Sequence, residues 1–97
     1  MGHGMKKSDV RSVIQADFQE KLDTGNYCIH HVFNGPNRKN SEAYGFLVAI
    51  RPALHDYVHA NPDCEVWNAW RRLCQKWYEQ YIGPRGEFIF EFGRSYL

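Results

Sequence analysis

Two β-rich runs, residues 26–33 and 44–50, are separated by the polar turn-former stretch NGPNRKNSE and followed at once by the proline-led segment RPALHDYVHANPD. That order restricts the chain more than any other feature. Two strands joined by a polar connection fit a hairpin. Pro52, welcome at the first position of a helix, together with the stop signal Asn61-Pro62, predicts a short helix over residues 52–60 directly after it. The first strand reads YCIHHVF and holds two adjacent histidines, His30 and His31. Neighbours on a strand point to opposite faces, so the two imidazoles are expected in different surroundings.

The hairpin and its helix are flanked by further periodic segments. Residues 8–23 carry Val10, Val13, Ile14, Phe18 and Leu22 at helical spacing, with Ser8 as N-cap and Gly25 beyond the end, which predicts a first helix. Asp63 is the expected cap of a long helix whose stripe of Trp67, Trp70, Cys74, Trp77 and Tyr81 advances by threes and fours and stops at Gly83-Pro84. A helical stripe of tryptophans reads as core before it reads as a base-stacking platform. Residues 87–92, EFIFEF, alternate and predict a last strand. The expected order is α, β, β, α, α, β in one α+β domain spanning residues 1–97. Residues 26–61 form its central unit, 63–97 its support, and 1–5 a tag or flexible end in which His3 carries little weight.

A chain of 97 residues has a limited core, and chains of this size often gain from a metal or a partner chain. The net charge of +1 removes the argument for nucleic-acid binding from bulk electrostatics, so any such binding must come from a local site. Three cysteines, Cys28, Cys64 and Cys74, without a CxxC pair fit reduced thiols and a cytoplasmic protein. No apolar run is long enough to span a bilayer, and MGHGMKK lacks a signal-peptide core.

The remaining histidines make the local case. His55 and His59 lie four apart on the expected short helix, hence on one face and about 5–6 Å apart at Cβ. That spacing suits two ligands of one ion. A helix returning from the hairpin would bring them toward His30 and His31, so that three or four imidazoles converge. Neutral imidazoles favour zinc, nickel or a similar metal, whereas magnesium prefers oxygen ligands. A structural zinc site using Cys28 or Cys64 is the alternative for these residues.

The layout of strand, connection, strand and short helix resembles the ββα-metal (His-Me) finger of the HNH nucleases. A closer similarity is to the small HNH-like proteins of tailed phages, with their pattern HHxFxGxxRKxSExYG followed by a proline, histidines and VHxN. The matching residues are His30-His31-Val32-Phe33-Asn34-Gly35, Arg38-Lys39, Ser41-Glu42, Tyr44-Gly45, Pro52, His55 and Val58-His59-Ala60-Asn61, and the ending FxFGRSYL is similar as well. The likeness covers roughly residues 28–97 and leaves the first helix outside it. It implies that His30, His55 and His59 hold one divalent ion (Mg, Mn, Ni or Zn) and that His31 is the general base of phosphodiester hydrolysis. Arg38 and Lys39, and more weakly Arg51 and the Arg71-Arg72 pair, are the expected phosphate contacts, with Arg38 also counted in the catalytic set.

Two features depart from that pattern. The CxxC before the histidine pair and the Cys and His at the helix start, which make a structural zinc site in such proteins, are absent, and Arg51 and Leu54 stand at the later positions. The strand asparagine that orients the base has no match either, because the second strand reads Gly45-Phe46-Leu47-Val48. A backbone carbonyl or Asn61 is left to orient His31. The expectation is a phage-encoded, metal-dependent HNH endonuclease acting on DNA in the bacterial cytoplasm, with a homodimer or a phage or host protein as further partners. The rival is a catalytically degenerate HNH-like module that binds DNA or a host protein as an accessory or inhibitor.

Overall fold

In the computed structural model, which describes residues 10–97, two short strands pair antiparallel. These are β1 (Cys28–His31) and β2 (Leu47–Ile50), with His30 opposite Val48 and His31 opposite Leu47. All four residues of β2 are buried, and alternate ones enter different parts of the core. Val48 and Ile50 join the large aromatic cluster of Phe33, Phe46, Trp67, Tyr78 and Phe88. Leu47 and Ala49 meet Val10, Phe18 and Leu22 on the opposite side. The two-stranded sheet is thus covered on both faces, which is how so small a sheet is stabilised.

The N-terminal segment supplies one cover, with less helix than its periodicity predicts. Only α1 (Phe18–Asp23) is helical, and the expected cap Ser8 lies outside the described residues. Upstream, the Ser12 hydroxyl accepts from the N–H groups of Ile14 and Gln15, a local bond that competes with helix formation. The Gln15 amide then pairs with Ala49 in both directions, donating to its carbonyl (3.2 Å) and accepting from its N–H (2.7 Å). This side chain occupies the free edge of β2, where an unpaired strand would otherwise expose its backbone.

The connection between the strands is not the open loop expected from its turn-forming residues. A 3-10 turn at Gly35–Asn37 leads into a helix, α2 (Arg38–Tyr44). Arg, Lys, Glu and Ala are good helix formers, so turn chemistry rules only residues 34–37. The fully buried Ser41 hydroxyl donates to the Phe33 carbonyl (2.7 Å) and accepts from the Phe33 N–H (3.0 Å), fastening α2 to the end of β1. Gly45 ends the helix with φ of 76°, and a Cβ there would stand 3.1 Å from the Arg11 carbonyl.

The proline-led helix α3 (Pro52–Ala60) matches its expected limits, with Pro52 in the first turn. The long helix α4 (Glu65–Tyr81) begins one residue later than Asp63 would set, with Cys64 as N-cap. Trp67, Cys74 and Tyr78 are buried along it, and Trp70 and Trp77 pack partly against the core, whereas Tyr81 is exposed.

The expected last strand is instead a helix, α5 (Arg85–Phe92). Its alternating pattern would place Phe88, Phe90 and Phe92 on one strand face. In the helix Phe88 and Phe92, four apart, are buried, and Phe90 is 90% exposed. Asn37 and Asn40 of the inter-strand connection donate to the carbonyls of Phe92 and Glu91, satisfying groups that a helix end leaves free. The resulting order is α, β, α, β, α, α, α, an α+β arrangement. Among the described residues no helix is long and apolar enough to cross a membrane.

Candidate metal centre

β1 and α3 bring three of the histidines together. Hairpin pairing fixes His30 on the side of Val48, where α3 packs, and α3 carries His55 in its first turn and His59 in its last, on the same face. The ligand-capable atoms of His30, His55 and His59 all lie within 4.8 Å of one another, and among the described residues this is the only such group of three. The Nε2 atoms of His55 and His59 are 3.1 Å apart. The His30 ring lies 5.6 and 5.2 Å from theirs, centroid to centroid.

The environment of His30 gives this cluster its chemistry. His30 is 1% exposed, and its buried Nε2 has no hydrogen-bond partner. An orphaned polar atom in a native core calls for an explanation, and a histidine with a ligand-capable nitrogen within 4.8 Å of those of two others offers one. Burial, followed by the repulsion of His59, His55, His31 and Arg71, pushes the His30 pKa down to about 3. His55 is lowered too, first by burial and then by His59, with Asp56 acting in the opposite sense. Neutral imidazoles with free lone pairs are what a zinc-type ion requires. Four-coordinate zinc holds nitrogens at about 2.0–2.1 Å, so small ring rotations close the set. The three histidines therefore fit a metal ion.

Trp67 supports His30 from beneath. Its indole N–H donates to the Val32 carbonyl (2.7 Å), and its ring meets the His30 ring edge-on at 4.4 Å. The tryptophan stripe thus acts as core and as backing for the cluster.

His31 stays out of the cluster, as alternation along a strand requires, yet it lines the same cleft of about 350 Å³. Its Nε2 lies 2.8 Å from Glu42 Oε2 on α2, and the Arg38 Nε is 3.8 Å from that same oxygen. An ionised carboxylate only accepts, so in the neutral ring Nε2 is the nitrogen that carries the proton and Nδ1 the one with the free lone pair. Arg38, Asn34 and Gly35 complete the rim with His55 and His59.

Glu42, and not Asn61, orients His31. The Asn61 side chain donates to the Tyr57 carbonyl (2.9 Å) and borders a separate hollow with Pro62, Asp63 and Cys64. Lys39 is exposed and outside the histidine cleft. Arg51 is elsewhere as well, 4.9 Å over the Tyr27 ring beside a different groove. Arg72 is engaged by Glu65. All three cysteines are free thiols, and none belongs to the metal-competent group. Glu42, in the motif SExYG, is the site residue that a loop reading of this connection misses, since only a helix places it against His31. The helical spacing of Arg38 and Glu42 was the available signal.

Compared with models of known protein families, with curated proteins and with solved structures, the chain matches none.

Proposed function

We propose that this chain is a metal-dependent endonuclease that hydrolyses DNA phosphodiester bonds, built on the ββα-metal plan of the small phage HNH proteins. The observation that carries the reading is the division of labour among four histidines. Three converge with ligand-capable nitrogens within 4.8 Å of one another, and the fourth stands beside them, outside the set and held by a carboxylate. A structural metal site alone gives no reason for that fourth group.

His30, His55 and His59 would hold one divalent ion. When bound, that ion supplies Lewis-acid stabilisation of charge on a phosphate oxygen. His31 takes a proton from water through Nδ1, because Glu42 fixes Nε2 as the protonated nitrogen. The Glu42 carboxylate then faces the imidazolium that forms. Arg38, at the rim of the same cleft, is placed to contact the phosphate and is 66% exposed, so it is free to swing toward a strand. Its spacing from Glu42 also lets it share that carboxylate until substrate arrives.

The test is nicking of supercoiled plasmid by metal-stripped protein re-supplied in turn with magnesium, manganese, nickel and zinc. Relaxed circles forming with at least one ion support the enzyme. Inertness with every ion and with duplex, nicked and single-stranded DNA would leave the fold as a binding module.

A further inference from the structure

A second group of cations meets the Trp67 and Tyr96 rings. The Arg71 guanidinium stands 4.4 Å over the Trp67 ring and 5.7 Å from the Tyr96 ring, and Arg94 lies 4.8 Å from that same Tyr96 ring. Both guanidiniums therefore flank one phenol. Among the described residues neither has a carboxylate within ion-pair distance, whereas Arg38, Arg72 and Arg85 each have one. Asp63 acts on Arg71 only from a distance, and Arg94 repels it. Arg94 is near enough to repel Arg71, and an anion bound between them would relieve that repulsion.

The arrangement is built and not incidental. Arg71 Nη1 donates to the Pro62 carbonyl (2.8 Å) and to Asn68 Oδ1 (2.7 Å), which fixes the guanidinium plane. Its Nε and Nη2 have no partner among the described residues. The fully buried Gln75 accepts from the Tyr96 N–H (2.7 Å) and donates to the Ser95 hydroxyl (3.0 Å), which holds the chain end in place. Arg71 and Tyr96 line a small polar cleft with Asn34 and Asn37, and Asn34 also lines the histidine cleft. The two clefts are neighbours along one surface.

We propose that the cleft of Asn34, Asn37, Arg71 and Tyr96, with Arg94 at its edge, binds a backbone phosphate of the nucleic-acid strand whose neighbouring linkage occupies the histidine cleft. The inference rests on the nuclease reading and adds to it a register: the strand is held on both sides of Asn34. A preformed guanidinium fork matches phosphate oxygens better than an ammonium does.

Two measurements on the metal-stripped full chain test it. In the first, inorganic phosphate is titrated while the arginine Nε–Hε cross-peaks are followed by NMR. Arg71 and Arg94 should shift and saturate while Arg72 and Arg85 stay still; equal, small movements of all four would overturn the site. In the second, binding of a fluorescein-labelled oligonucleotide is measured against salt for wild type, Arg71→Gln, Arg94→Gln and Arg72→Gln. Arg71→Gln and Arg94→Gln should each weaken binding roughly three- to tenfold and lower the salt slope by about one, with Arg72→Gln unchanged. Arg94 is exposed and bonds only weakly to Ser95, so its variant is informative even where Arg71→Gln fails to fold. Tight oligonucleotide binding unaffected by either variant overturns the proposal and leaves the nuclease reading intact. A wild type that binds no oligonucleotide overturns the proposal, and plasmid nicking with metal re-supplied decides the nuclease reading separately.

Discussion

Acid should destabilise the metal-free protein through His30 in particular. In the unfolded chain this imidazole titrates near 6.5, and in the folded chain burial first, then repulsion from His59, His55 and His31 as they charge and from Arg71, holds it at about 3. Between those values the unfolded state binds a proton that the folded state does not. Stability is therefore full above pH 6.5 and falls with pH by about 1.4 kcal/mol per unit until about pH 3. Lowering the pH from 7 to 5 removes about 2 kcal/mol by this route, or roughly 8–16 °C in Tm for a chain of this size. The His30→Leu variant keeps the site filled and removes both the proton acceptor and the orphaned Nε2. Urea unfolding of both proteins in chelator at pH 7 and pH 5 isolates the effect as a difference of differences. Wild type should lose about 2 kcal/mol more than the variant. Equal losses would mean that the folded core accommodates a charged His30, and the argument for a neutral, lone-pair-presenting ligand would collapse.

Other expectations concern the supports of the site. Glu42→Gln should lower nicking by roughly tenfold to a hundredfold with metal content unchanged, since the amide can no longer impose the tautomer; a loss of metal instead would make Glu42 a ligand. Ser41→Ala strands the buried Phe33 N–H and should cost about 2 kcal/mol in chemical denaturation, with a cost near zero contradicting the clamp between α2 and β1. Gly45→Ala introduces a Cβ at φ of 76°, 3.1 Å from a backbone oxygen, and should cost about 1–3 kcal/mol; a neutral change would show that the turn relaxes freely.

The part of the site that follows from local rules was legible in the residues. His55 and His59 share a face because four positions make about one helical turn, and Pro52 and Asn61-Pro62 bounded that helix correctly. The hairpin brought His30 to them through pairing that the β-rich runs already implied. The readings that failed turned on competing interactions from distant residues. Gln15 covers the edge of β2, so residues before Phe18 give up their helix. EFIFEF satisfies a strand's period, but its helix ends on partners supplied from outside it, Asn37 and Asn40, which no local pattern reveals. Glu42 was hidden for a related reason: turn residues at 34–37 coloured the reading of a whole segment whose second half is helical. Arg51, read as a phosphate contact, faces Tyr27, because the helix start it caps lies at the far end of β1 from His31.

One paired measurement separates the histidines that hold the ion from the one that takes the proton. Zinc or nickel content and plasmid nicking are determined on the same preparations of wild type, His59→Ala and His31→Ala. His59→Ala should lose metal and activity together, while His31→Ala should keep its metal and lose at least about a hundredfold in rate. Undiminished nicking by His31→Ala with its metal in place would contradict that division.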